Sequence, residues 1–421
     1  MRAEIIAVGS ELLTPEKVDS NSLFITEQLN AIGIVVKAKS VVGDDRVDLR
    51  TALEHALARA DLIVATGGLG PTDDDLTREA VAAALDLPLE IDERIVEQIR
   101  ARFAARGLEM PDINRRQAQV PHGAVVLDNP HGTAPGLWLE RSGRIVILLP
   151  GPPREMRGML EAVIRDRLSS RAGPQRMYRR VLRITGRSES HTEEAVRTAY
   201  EDWERGAVPI STTILASYGQ IELHLTALAA DSAAACAALD GATEEARRRL
   251  GVDLYSTDGR SMERVVGDML RAGRLRVSVA ESCTGGLLTS RLTDVSGSSD
   301  YVEHGVVAYS NAAKIAWLGV AADTIAEHGA VSEPVAVAMA EGICEGSGTE
   351  VGVGVTGVAG PGGGSDRKPV GTVCIAVVRR QAPGPTARVR TFQFLGGREL
   401  VKFQASQAAL DMIRRWLLEA P

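Results

Sequence analysis

Short runs of Val, Ile and Ala, each followed by a glycine-bearing loop and an amphipathic stretch, recur along this chain. This alternation narrows its folding options more than any other feature. Within residues 1–168, Ala3–Val8, Ile34–Val42 and Leu62–Thr66 read as strands, with helical patterns at Ser22–Ile32, Val47–Arg59 and Leu76–Leu85. Strands and helices at this spacing imply right-handed crossovers and a parallel sheet. Such sheets bind ligands beyond the carboxyl ends of their strands. Here that region holds the loops Gly9–Thr14, Gly43–Asp45 and Gly67–Asp75.

The pattern returns after about Ser261, with a helix to Ala272 and strand Leu275–Ala280. Helix Leu287–Thr293, strand Gly305–Tyr309 and helix Asn311–Leu318 follow, then a helix opened by Ser332-Glu333-Pro334 and strand Glu350–Val355. Between the two alternating halves, residues 171–187 hold six arginines and no acid, which marks a boundary. Next come a strand (Tyr178–Thr185), a helix (Glu189–Tyr200), two strands joined near Tyr218-Gly219 and a helix (Ala233–Leu250). The expected fold class is multi-domain α/β: a parallel-sheet α/β domain over 1–170, a small α+β module over 171–257 and a second α/β domain over 258–421.

Composition excludes several functions. The net charge of −7 and an aromatic content of 4% disfavour general nucleic-acid binding and a base-stacking surface. The arginine run reads more readily as a solvated face or domain seam. No apolar run approaches the roughly 20 residues that span a bilayer, so no membrane partner is expected. The first ten residues carry no signal-peptide pattern, and the four cysteines form no C-x-x-C pair, so a cytoplasmic protein is expected.

In Thr66-Gly67-Gly68-Leu69-Gly70-Pro71-Thr72-Asp73-Asp74-Asp75-Leu76-Thr77, a strand runs into a helix through paired glycines and three aspartates. Glycines let backbone N–H groups approach a phosphate. Adjacent carboxylates repel one another, and a divalent cation bridging them to a phosphate would relieve that repulsion. Helix capping by Asp74 or Asp75 is the simpler alternative, and it leaves the glycine pair unexplained. The segment resembles the molybdopterin-binding fold of molybdenum-cofactor biosynthesis proteins through Thr66, Gly67, Gly68, Gly70, Asp75 and Thr77. Gly9-Ser10-Glu11-Leu12, Asp44 and the run Leu149–Met156 add to that likeness.

Strand Leu275–Ala280 runs into Glu281-Ser282-Cys283-Thr284-Gly285-Gly286. A serine on a strand-to-helix turn can act as a nucleophile, with N–H groups of Thr284 to Gly286 facing an oxyanion. It can equally cap the following helix. Lys314 favours the first reading. The chain has only six lysines among 48 basic residues, and lysine, unlike arginine, can give up its proton when buried. Serving as a base near pH 7 requires lowering its pKa by about 3 units, through burial or a cation such as Arg398. Cys283 is an alternative nucleophile, disfavoured because neighbours on a turn point different ways. Gly352-x-Gly354-x-x-Gly357 imitates a dinucleotide fingerprint, but its first two glycines fall inside a strand and no acid follows about 20 residues later.

Taken together, these strings resemble the full-length CinA (competence/damage-inducible) family over essentially the whole chain. Tyr309–Lys314, His328–Pro334, Thr356–Pro361 and Pro369–Val373 support the likeness. The resemblance implies a C-terminal amidase that converts nicotinamide mononucleotide to nicotinate mononucleotide and ammonia without a cofactor. Its serine falls on Ser282 and its lysine on Lys314, with Tyr309 and Thr356 as further active-site positions. Thr284, Gly285, Gly286, Asn311, Gly357 and Arg398 would contact substrate, Arg398 as a phosphate clamp. The resemblance also implies an N-terminal ADP-ribose pyrophosphatase dependent on a divalent metal (Mg, Mn or Co), with a monovalent cation as a further option. Asp44, Asp74 and Asp75 would hold the metal, and Gly67, Gly68, Gly70, Thr72 and Thr77 the substrate. No Nudix box is present. A molybdopterin adenylylation or insertion module, and a non-catalytic competence adaptor using Arg171–Arg187, stay open as alternatives. A homodimer is expected.

Overall fold

The structure, a computed structural model, describes residues 1–217, 219–380 and 386–419. It divides into two compact units, residues 1–178 with 228–235, and residues 179–227 with 236–421. The sequence reading joined two strands at Tyr218-Gly219, and Tyr218 lies outside the described residues.

In the first unit, β1 (Arg2–Val8), α1 (Ser20–Ala31), β2 (Val35–Val42), α2 (Arg46–Arg59), β3 (Leu62–Thr66) and α3 (Thr77–Ala84) follow the alternation read from sequence. After them come β4 (Leu89–Ile91), α4 (Glu93–Ala104), β5 (Gln119–Pro121), β6 (Val125–Leu127), β7 (Gly136–Arg141), β8 (Arg144–Leu149) and α5 (Pro153–Val163). The main sheet has the order β2-β1-β3-β8-β7-β6. β1 pairs in parallel with β2 and β3, and β3 with β8. Every residue of β3 is buried, as a parallel strand covered on both faces requires. The sheet is not wholly parallel: β7 turns back on β8 at Ser142-Gly143, both at positive φ, and β6 pairs antiparallel to β7. A Ser-Gly pair between two apolar runs is a hairpin signal that the helix-centred alternation obscured.

A four-stranded sheet of order β10-β11-β9-β12 is built from β9 (Arg176–Ile184), β10 (Ile210–Ser217), β11 (Gln220–Ala229) and β12 (Leu254–Ser256), with helices α6 (Glu189–Arg205) and α7 (Ser232–Leu250). Ser188 caps α6, its side chain accepting from His191 N.

The remainder of the second unit runs α8 (Met262–Ala272), β13 (Val277–Glu281), α9 (Leu287–Thr293), β14 (Val302–Val307), α10 (Asn311–Leu318), α11 (Ala322–His328), α12 (Glu333–Ser347) and β15 (Val351–Gly357). It ends with β16 (Thr372–Arg379), β17 (Thr386–Gln393) and α13 (Arg398–Glu419). The sheet order is β14-β13-β15-β16-β17, with β13 parallel to β14 and β15, and β16 and β17 antiparallel. β14 starts and ends earlier than the sequence pattern suggests, because this edge strand is mostly exposed and carries little alternation. Tyr309 therefore lies in the turn before α10. Thr356 and Gly357 stay within β15, paired with Cys374 and Val373.

The false fingerprint has a packing explanation. A Cβ on Gly352 would lie 2.2 Å from the Ala340 carbonyl oxygen, and one on Gly354 2.1 Å from that of Ala336. These glycines let α12 press directly on β15. Among the described residues, no helix is long and apolar enough to cross a membrane. Gly354→Ala should lower stability by about 1–3 kcal/mol through overpacking. Gly346→Ala, on an exposed turn of α12 with open space around it, should raise stability by up to ~1 kcal/mol. Urea denaturation midpoints measure both.

Candidate functional site

In the second unit the chain leaves β13 for β14 on one side and returns as β15 on the other, which opens a crevice at their carboxyl ends. Ser282 stands there, 7% exposed, with its N–H donating to the Val355 carbonyl at 2.9 Å. Ser310 starts α10, its hydroxyl accepting from Ala313 N at 3.1 Å. The first turn of α10 carries Lys314, whose Nζ lies 3.1 Å from Ser282 Oγ, 3.0 Å from the Ala308 carbonyl and 3.5 Å from that of Tyr309. Lys314 is 2% exposed, and no carboxylate pairs with it among the described residues. Burial lowers its pKa; Arg398 is not among the causes. A neutral amine has two N–H bonds and one lone pair. Two carbonyls and one hydroxyl match that set.

The turn is held by a residue that the sequence analysis passed over. Glu281, with no exposed surface, accepts from the N–H groups of Gly286 (3.1 Å), Leu288 (3.0 Å) and Thr289 (2.9 Å) and from the Thr289 hydroxyl (2.7 Å). It therefore does the capping that had been considered for Ser282. The oxyanion expectation changes accordingly. Gly286 N–H is bound to Glu281, and Gly285 N–H donates to the Ser282 carbonyl at 3.1 Å. Among the described residues, the N–H groups of Cys283 and Thr284 make no backbone hydrogen bond, and the Thr284 hydroxyl is buried without a partner. The backbone N–H groups left free to face an oxyanion are therefore those of Cys283 and Thr284, in place of the expected Thr284 to Gly286. A glutamate next to a serine turn was the available signal, but seeing its role requires knowing that the backbone curls back on it. Burial drives the Cys283 thiol up to about 12, leaving it an un-ionised core residue.

Thr356 is buried beside Ser282 in β15 and donates its hydroxyl to the Ala330 carbonyl at 2.8 Å. Tyr309 is 59% exposed, and its hydroxyl accepts from Arg398 Nη2 at 2.8 Å. Arg398 also donates to the Gly360 carbonyl at 2.8 Å, tying the glycine-rich loop to α13. Asn311 is exposed at the start of α10, and its side chain makes no hydrogen bond among the described residues. Gly357 ends β15 where a Cβ would meet the Thr372 carbonyl oxygen at 2.7 Å.

The first unit repeats the topology: β1 lies between β2 and β3, and the loops after β1, β2, β3 and β8 border a cavity of about 350 Å³. Gly67, Gly68, Gly70, Asp44, Asp74 and Asp75 line it, together with Glu11 and Glu155, for which sequence motifs were noted but no role was assigned. Asp44 accepts from Ser10 N at 2.7 Å and its own N–H donates to the Ser10 hydroxyl at 2.9 Å, joining two of the loops. Thr72 and Thr77 serve the loop itself. Thr77 donates to the Gly67 carbonyl (2.8 Å), while the Thr72 N–H and hydroxyl bind Asp75 (2.9 and 2.5 Å). Asp75 also accepts from Gly70 N at 2.7 Å, so it closes the loop instead of capping α3, whose N-cap is Leu76. Buried Arg78 braces the same loop from below through the Leu69 and Gly70 carbonyls, at 2.7 and 2.9 Å.

The three-aspartate repulsion is thus largely resolved within the protein, since Asp73 pairs with Arg116 and Asp75 with backbone donors. Among the described residues no group of three or more His, Cys, Asp or Glu is close enough to cage a metal. The carboxylates do suit a hard cation bound through one or two of them and completed by substrate phosphate and water.

The arginine run is mostly neutralised. Arg171, Arg180, Arg183 and Arg187 pair with Glu140, Asp240, Glu222 and Asp253. Three family models match the chain: "Probable molybdopterin binding domain" over residues 4–170, "Damage-inducible protein CinA KH domain" over 179–256 and "CinA C-terminal domain" over 259–417. A CinA-like protein of Koribacter versatilis is 44% identical over 422 residues, covering 99% of this chain and all of that protein. A CinA-like protein of Solibacter usitatus is 43% identical over 416 residues, covering 99% and 98%. The crystal structure of the protein CinA with unknown function from Thermoplasma acidophilum is 37% identical. It covers 39% of this chain and 96% of that one, with a TM-score of 0.37.

Replacing Glu281 by Gln leaves an amide oxygen to serve donors that two carboxylate oxygens now share. A stability loss of about 2–4 kcal/mol in urea titrations is expected.

Proposed function

This chain belongs to the CinA-like protein family, and from that premise we propose that its C-terminal domain is a Ser–Lys amidohydrolase acting on nicotinamide mononucleotide. The observation that carries the proposal is the 3.1 Å approach of a buried, uncompensated Lys314 amine to Ser282 Oγ. Neutral Lys314 takes the Ser282 proton as Oγ bonds to the carboxamide carbon, and the carbonyl π electrons move onto oxygen. The N–H groups of Cys283 and Thr284 face that oxyanion. Lys314 then passes its proton to the departing nitrogen, the C–N bond breaks and ammonia leaves. Water attacks the acyl ester with Lys314 again as base, releasing nicotinate mononucleotide and restoring the Ser282 hydroxyl.

The first unit we read as an ADP-ribose pyrophosphatase that needs a divalent metal. Asp44 and Asp74 would hold the metal, which when bound supplies Lewis-acid activation at a phosphate. The Gly67–Gly70 loop, fixed by Asp75 and Arg78, presents backbone to that phosphate. The cavity shared by these carboxylates and glycines supports this reading.

Ser282→Ala and Lys314→Arg should each cut ammonia release from nicotinamide mononucleotide by at least about 10³-fold, by analogy with loss of one member of a nucleophile–base pair. Because the base must be neutral, activity is lost as pH falls through the lowered Lys314 pKa. The kcat/KM profile should therefore rise with pH through an inflection below the ordinary lysine value of about 10.4. Chelation by EDTA should abolish ADP-ribose cleavage and leave ammonia release intact, with both products followed by chromatography.

A further inference from the structure

Among the described residues, the cavity of the first unit is lined by the carboxylates of Glu11, Asp44, Asp74, Asp75 and Glu155 and by no lysine, arginine or histidine. The side-chain N–H groups at its wall belong to Gln117, which is 2% exposed, so the little surface it keeps faces the cavity. Gln117 sits on a short 3-10 helix (Asp112–Ala118). Arg116 ties that helix to the glycine loop, donating to the Thr72 carbonyl at 2.9 Å and to Asp73 at 3.1 Å. Asn114 Nδ2 donates to Gln117 Oε1 at 3.0 Å, which turns the Gln117 amide nitrogen away from Asn114. Among the described residues that nitrogen donates to nothing. The loop has few donors of its own to spare. Gly67 N–H donates to the Leu149 carbonyl at 3.0 Å and Gly70 N–H to Asp75, which leaves those of Gly68 and Leu69.

We infer that Gln117 is a substrate-binding residue whose amide nitrogen donates to a non-bridging oxygen of the phosphate held at the glycine loop. An anion entering among carboxylates gives up solvation and meets repulsion, so each donor aimed at it counts. A lysine or arginine at this position would pair with the carboxylates and compete for them with a divalent cation. A neutral amide leaves the carboxylates free, and Asn114 fixes its orientation before any ligand arrives. Its hydrogen bond to a charged phosphate oxygen belongs to the stronger class. The bond to be cut rests on the pyrophosphatase reading; the contact to a phosphate does not.

The test compares the full-length wild type with Gln117→Met, which removes the donor, and with Gln117→Glu, which keeps an acceptor for Asn114 but offers no donor. Calorimetry with AMP and with adenosine, each with magnesium, separates the phosphate from the nucleoside without turnover. ADP-ribose cleavage gives KM and kcat. Gln117→Met should weaken AMP binding on the order of 10- to 100-fold and leave adenosine binding within about threefold. KM for ADP-ribose should rise in step with the loss of AMP affinity. Gln117→Glu should weaken AMP binding at least as much. AMP affinity within about twofold of wild type in Gln117→Met overturns the inference. An equal loss for AMP and adenosine, or recovery of AMP binding in Gln117→Glu, assigns Gln117 to bracing alone and overturns it too. If the wild type leaves ADP-ribose uncut, the pyrophosphatase reading fails and AMP decides the contact by itself. A preference for AMP over adenosine that falls in Gln117→Met upholds it, and no such preference in the wild type removes it.

Discussion

The desolvated amine of Lys314 is the constraint around which the C-terminal domain is arranged. Burial lowers the Lys314 pKa, and only the surrounding fold can keep the amine out of water without a carboxylate partner. Ser310 caps α10 and brings its first turn into the crevice. The Ala308 carbonyl that receives an amine proton is itself fixed, since Ala308 N–H donates to the Glu281 carbonyl at 2.8 Å. Glu281 thus acts on both sides of the pair. Its backbone positions the acceptor for Lys314, and its carboxylate holds the turn that presents Ser282.

The same topological device appears in both units with opposite chemistry. A parallel strand flanked by two others opens a crevice in each, at β1 and at β13. At β13 the crevice holds one buried amine and one hydroxyl, and the nearby helix N-terminus is neutralised by Glu281. At β1 it is lined by carboxylates, and the glycine loop is kept in shape by Asp75 and Arg78. A parallel sheet dictates where a site forms, and the residues at the strand ends decide what it does.

Much of this was legible in the sequence because the signals were local. Periodicity marked the helix Asn311–Leu318 with the boundaries found in the structure, and the scarcity of lysine drew attention to Lys314. What was hidden depended on long-range pairing or on backbone curvature. Arg116 reaches Asp73 from 43 positions away in sequence, so a triplet of aspartates looked more frustrated than it is. The N–H groups of Gly285 and Gly286 looked free until the turn folded them onto Ser282 and Glu281. The antiparallel strands β7, β16 and β17 continue parallel sheets, and apolar runs alone do not reveal strand direction. Gly352 and Gly354 imitated a phosphate loop because close helix packing and close ligand approach make the same demand, a missing Cβ.

The division between arginine and lysine follows from how each responds to burial. Arg78 is buried as thoroughly as Lys314, and its pKa falls to about 10, so it stays charged at neutral pH and can brace two carbonyls permanently. Lys314, facing carbonyls and a hydroxyl with no carboxylate paired to it, also has its pKa lowered by burial, and unlike arginine it can give up its proton. An arginine at position 314 would keep its charge and have no lone pair to offer Ser282. A lysine at position 78 would lose the fork that spans two successive carbonyls. On the proposed amidase reading, a buried lysine in a chain that otherwise uses arginine for nearly every cation marks the place where the proton moves.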